Sequence, residues 1–152
     1  METTATLNDK TIEGLQDLIE VNLDSGKGFE TVADQIDNKD LAAYFRRCGQ
    51  RRQAFASELQ GFVRSNGVEP KTSGSMKGTL HRWWTDLRGT VQSGDEHAML
   101  AEAERGEDVI KHTYEGVLKE TAGSPLNSML QQQWVSVKQD HDTIRDMRDA
   151  RA

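Results

Sequence analysis

Four residues interrupt otherwise apolar stripes with strongly polar side chains: Asn22, Arg52, Glu107 and His141. A guanidinium and a carboxylate at one depth form a bidentate ion pair. An amide and an imidazole supply hydrogen bonds beside it. A glutamate with a histidine is also the beginning of a metal site, because hard cations want oxygen donors and imidazole adds nitrogen. Other chemistry is sparse. One cysteine, Cys48, and four scattered histidines give neither a disulfide framework nor a zinc-finger spacing. No glycine-rich phosphate loop ending in Lys-Ser/Thr occurs, and no nucleophile elbow. No residue is therefore assigned as catalytic.

The elements that must position these four are helices. The chain has 152 residues, one domain's worth, of which 35% are hydrophobic and 29% charged. Mean hydropathy is -0.74, so much of the surface must be solvated, as in slender helical bundles. Two prolines argue against an all-β chain with many turns. No apolar run approaches the ~20 residues of a membrane span. A net charge of -6 disfavours nucleic acid as a partner. The opening METTATLNDK lacks a basic-then-apolar signal segment, so a cytoplasmic location with reduced Cys48 is expected.

Helices are expected at about 9–36, 40–65, 75–91, 95–120 and 125–148. The first carries Ile12, Leu15, Ile19, Asn22, Gly26, Phe29, Ala33 and Ile36 at alternating steps of three and four, which keeps one face toward a partner. Leu41, Phe45, Cys48, Arg52, Phe55, Leu59 and Phe62 do the same in the second. Leu100, Ala103, Glu107, Ile110, Tyr114 and Val117 mark the fourth, and Leu130, Trp134, Val137, His141 and Ile144 the last. Asn8 or Asp9 suits the first N-cap, and Ser124 with Pro125 suits the last. The stretch NGVEPKTSGSMKG reads as a loop, and the short helix after it lies within a long connection. Two hairpins joined by one long crossover are the topology of ferritin-like four-helix bundles.

That topology suggests that the four polar residues meet. Asn22 lies 16 residues before a first turn centred at 38, and Arg52 lies 14 after it. Glu107 lies 16 before a second turn at 123, and His141 lies 18 after it. With both turns at the same end of the bundle, the offsets agree to about one helical turn. The expectation is a buried polar layer with an Arg52–Glu107 ion pair at its centre. Such a layer fixes register among similar helices; the competing reading is a binding or redox site.

A di-iron centre needs a glutamate from each of two helices and Glu-x-x-His from each of the other two. Here Glu107 and His141 are present, and Tyr114 follows Glu107 by seven. The glutamate position before His141 is Lys138, the second helix offers Arg52 and Phe55, and the first offers Asn22. Two of six ligands survive, and Arg52 would repel a cation. No metal is expected. Iron or manganese on Glu107 and His141 is the weak alternative, a divergent metal-binding oxidoreductase.

Among the other features, Cys48 reads as a small buried apolar residue. His81, Trp83 and Trp84 sit on the crossover helix, one tryptophan packing inward and the other partly exposed, or together forming a partner-facing patch. Arg46, Arg47, Arg51 and Arg52 are read as pairing within the molecule. Glu102, Glu104, Glu107 and Asp108 are partly a solvated acidic face.

Five segments carry a likeness to a known family: Leu18–Asn22 with Gly28-Phe29; Gln50–Arg52 with Phe55 and Glu58–Gln60; Gly74-Ser75 with Leu80–Trp83; Glu104–Asp108; and His141-Asp142 with Ile144-Arg145. The chain resembles the bacterial family of uncharacterised ferritin-like four-helix-bundle proteins, a domain of unknown function. The resemblance implies a ferritin-like bundle, no established enzymatic activity and a loose association with stress responses. The oxidase and iron-storage roles of the broader superfamily do not carry over, because the ligand positions differ. The sequence therefore leads to the expectation of a non-enzymatic helical bundle, a homo-oligomer, with no nucleic-acid or membrane partner.

Overall fold

The computed structural model describes residues 2–74 and 78–151, apart from the side chains of residues 78–81. Five helices run in the order α1 (Asp9–Ala33), α2 (Lys39–Ser65), α3 (Gly78–Ser93), α4 (Glu96–Glu120) and α5 (Asn127–Asp149), with no strand among the described residues. No helix among them is long and apolar enough to cross a membrane. The expected start of the crossover helix at Ser75 and the side chains of Leu80 and His81 lie outside the described residues.

Local chemistry sets the helix ends. Asn8 caps α1 by accepting from the Thr11 amide at 2.9 Å. The helix stops at Ala33 rather than Ile36, because Asn38 must be extended to accept from the Asp40 and Leu41 amides as the cap of α2. The residues between close by tighter turns, Gln35 to Val32 and Ile36 to Ala33. Gly67 and Gly94, both at positive φ, follow the ends of α2 and α3. Asp95 caps α4 through the Ala98 amide.

The start of α5 differs from the expected one. Ser124 does not cap the helix; its hydroxyl accepts from the Leu126 amide at 3.2 Å and its carbonyl from Asn127 at 3.1 Å. That separate turn sinks Leu126, only 2% exposed, into the core, and α5 begins at Asn127 with no side-chain cap.

Two hairpins, α1–α2 and α4–α5, pack side by side, and α3 lies along α4 and α1. Buried apolar residues form two clusters. One joins Phe29, Phe45, Trp83, Leu87, Leu100 and Ile144. The other joins Leu15, Leu59, Ile110, Tyr114, Leu130 and Val137. Following the clusters along each helix shows that the hairpin turns lie at opposite ends, not at the same end. The α1–α2 turn sits with the start of α4, where Asn38 donates to Glu96 at 3.3 Å. The start of α1 sits with the end of α2, where the Leu7 amide donates to Asn66 at 2.8 Å. The crossover through α3 therefore spans the length of the bundle. Arg52 and Glu107 still meet, because each lies near the middle of its helix, and a midpoint is indifferent to which end carries the turn.

Candidate functional site

Between the two apolar clusters lies a buried charge network. Arg52 of α2 and Glu107 of α4 are each 0% exposed. The guanidinium donates to both carboxylate oxygens, Nη1 to Oε1 at 2.7 Å and Nη2 to Oε2 at 2.5 Å. Nη2 also donates to Asp140 Oδ2 of α5 at 3.1 Å. Asp140 Oδ1 accepts from Arg51 at 2.5 Å and from the Tyr44 hydroxyl at 2.9 Å. Two guanidinium groups thus face two carboxylates, so the network as a whole is neutral, with half-buried Arg51 at its outer edge. The Arg52 guanidinium also lies 5.7 Å from the centre of the Phe29 ring.

The environment moves the proton affinities. Burial works against the charged Arg52, yet the charges of Glu107 and Asp140 outweigh it and raise Arg52 above its ordinary value. Burial pushes the Glu107 carboxyl up, against the pull of the Arg52 guanidinium. Burial, with help from Cys48 and Asp140, raises Tyr44 as well.

The other two expected members stand elsewhere. Asn22 donates to the Tyr114 hydroxyl at 2.8 Å, and Tyr114 donates to Gln133 at 2.7 Å. This second network links α1, α4 and α5, and the 3.4 Å contact of Gln133 with Glu58 extends it to α2. His141 engages other carboxylates. Its Nε2 lies 2.8 Å from Asp108 and 3.7 Å from Glu104, and its Nδ1 lies 3.0 Å from Asp142. A hydrogen bond from Lys138, then one from His141, lowers the Asp142 carboxyl to about 2. The position expected for His141 is filled by Asp140, one residue earlier. The step pattern admits both, since Val137, Asp140 and Ile144 are spaced by three and four just as Val137, His141 and Ile144 are by four and three. The missed signal was the neighbouring pair Arg51-Arg52, which calls for two carboxylates rather than one.

The basic stretch of α2 pairs within the molecule. Arg46 meets Asp34 at 2.8 Å, Arg51 and Arg52 meet Asp140, and Arg47 lies over Tyr44. On α3, Trp83 is 3% exposed and sits edge-on to Phe29, while Trp84 is half-buried beneath Arg88.

Cys48 is completely buried. Burial first, then the nearby charges of Asp140 and Glu107, pushes its thiol up to about 12. Only the thiolate is a good nucleophile. At pH 8 the native protein should therefore react with a disulfide reagent only as fast as it opens, and at the free-thiol rate in denaturant. Rapid stoichiometric labelling of the native protein would show that Cys48 is reachable and activated.

For metal, the oxygens of Glu107 are already occupied by Arg52, and His141 is directed at Asp108 and Asp142 instead. No group of three or more His, Cys, Asp or Glu is arranged to hold a metal ion among the described residues. A family model described as "Domain of unknown function (DUF2383)" matches residues 10–120. The chain belongs to that family. The DUF2383 match covers α1 to α4, including Asn22, Arg52, Glu107 and Tyr114, and ends before Asp140 and His141. No curated protein matches the chain.

Proposed function

We propose that this DUF2383 chain is a non-enzymatic, ferritin-like helical scaffold, with a guanidinium at its centre in place of a metal. The antiparallel hairpins and the single long crossover through α3 support the ferritin-like reading. The observation that carries the function is the bidentate Arg52–Glu107 pair, buried on every side. A carboxylate whose two oxygens hold one guanidinium has little to offer a cation, and the cation would meet Arg52 head-on. The divergent-oxidoreductase alternative needs Glu107 and His141 on one ion, whereas they bind different partners. The stress-associated, cytoplasmic role implied by the resemblance belongs to the same proposal.

The test is elemental analysis of protein produced in iron- and manganese-rich medium and then dialysed. Metal far below one ion per chain is expected. Stoichiometric iron or manganese, lost on Glu107→Ala, would overturn the scaffold reading.

A further inference from the structure

The outer seam between α4 and α5 leaves apolar surface in reach of solvent. Val135 is 43% exposed and belongs to neither apolar cluster. Among the described residues only Val68, in the α2–α3 connection, is another exposed large hydrophobic. Val135 shares a groove with half-buried Leu118 and Trp134, edged by Glu115, Lys119 and Gln131. Leu118 and Trp134 pack inward on the core and Val135 does not, so the groove has an apolar floor with one solvent-facing side chain.

The charges on its edge say what kind of partner fits. Lys119 is exposed and makes no ion pair among the described residues. Glu115 lies one helical turn earlier. Its Oε2 accepts from the Trp134 indole at 3.2 Å, while Oε1 faces only His112, 4.0 Å away, among the described residues. The groove thus presents one acid with an open oxygen and one free base, about 6 Å apart along the helix. Such an edge is complementary to itself reversed. When two copies meet antiparallel about a two-fold axis, residue i meets j and j meets i. Glu115 of each copy then faces Lys119 of the other, and the axis passes over Leu118 and Trp134. Chains carrying -6 repel one another overall, so a locally neutral apolar patch is where two copies approach at least electrostatic cost.

We infer that the α4–α5 groove is a self-association surface, and that its occupant is a second copy of this chain. The inference concerns a face remote from Arg52 and stands apart from whether the core takes metal.

Sedimentation velocity over a concentration series tests it, with circular dichroism verifying the fold of each variant. The wild-type chain should form a dimer. Val135→Glu should weaken it at least tenfold, since the contact repeats the substitution twice, while Val68→Glu should leave it unchanged. Lys119→Glu and Glu115→Lys should each weaken it, and the double exchange should restore most of the affinity, because each swapped charge again meets its opposite. A wild-type chain that stays monomeric throughout overturns the inference. So does a dimer indifferent to Val135→Glu, or a double exchange no better than the single ones; those two outcomes would leave dimerisation standing but move it to another face.

Discussion

Replacing Arg52 with alanine should lower the unfolding free energy by about 3–5 kcal/mol and the Tm by on the order of 10 °C. The cost arises at Glu107 rather than at Asp140. Asp140 keeps Arg51 and Tyr44 as donors. Glu107, wholly buried, loses both of the hydrogen bonds that hold its carboxylate. An uncompensated buried carboxylate escapes by taking up a proton. Burial already raises Glu107, and the variant removes the group that opposes that rise. Its folded pKa then stands further above its unfolded value. The native variant holds more protons than the unfolded chain across that window, so its stability falls as pH rises through it. The deficit against wild type should therefore be smaller at pH 5 than at pH 8. Arg52→Met combined with Glu107→Leu should recover most of the loss, since an apolar pair of similar volume replaces a buried ion pair at little cost. Urea denaturation at both pH values measures all three proteins. A thermal melt of Arg52→Ala with its Tm within a degree or two of wild type would mean that the pair contributes nothing.

How far the sequence could be read follows from what its pattern encodes. A three–four stripe encodes a helix and its buried face, and Leu15, Phe45, Leu100 and Val137 are buried as their stripes require. The same stripe is blind to polarity along the bundle axis. No residue in the stripes says which end of the bundle carries each turn. The information lay instead in the length of the connection between Ser65 and Glu96, which is long enough to cross the bundle. Helix ends were legible where a short polar side chain caps them, as at Asn8 and Asn38. They were not legible at Ser124, where burial of Leu126 outweighs a good capping residue.

The same reasoning separates the readable part of the site from the rest. Opposite charges at helix midpoints make Arg52 and Glu107 partners on the sequence pattern, and they pair in the structure. Asn22 takes different neighbours from those its spacing suggests, because Tyr114 is apolar only in its ring. Its ring fills the core, but its hydroxyl gathers Asn22 and Gln133 into a network of their own. Burial raises the Tyr114 phenol, which keeps it protonated and able to donate. His141 could not be separated from Asp140 by spacing, since a one-residue shift turns a helical side chain by only about 100°. What separates them is charge. The cationic side of α2 demands a carboxylate, and the acidic side of α4 takes the imidazole.

A second large effect is expected where α3 meets α4. An alanine methyl at Gly106 would lie 2.0 Å from Trp83 Cε2 and 2.3 Å from Cδ2 and Nε1. The indole cannot swing aside, because it is 3% exposed and wedged edge-on against Phe29, 5.8 Å between ring centres. Gly106→Ala should thus destabilise by about 1–3 kcal/mol through overpacking, even though alanine is the better helix former by about 0.5–1 kcal/mol. Gly116 supplies the internal control. It sits ten residues further along α4, exposed, with nothing within 4 Å of an added methyl. Gly116→Ala should therefore stabilise by about 0.5–1 kcal/mol. The same substitution on one helix changes sign because one glycine holds a tryptophan and the other faces solvent. Trp83→Leu opens the space that Gly106→Ala fills, so the double variant should be less damaged than the two single losses summed, by about 1 kcal/mol or more. Unfolding curves for the wild type and the four variants decide it. Equal, favourable effects at Gly106 and Gly116 would mean that α3 does not rest on α4 through Trp83. The crossover helix would then be a passive connection rather than a packed wall of the bundle.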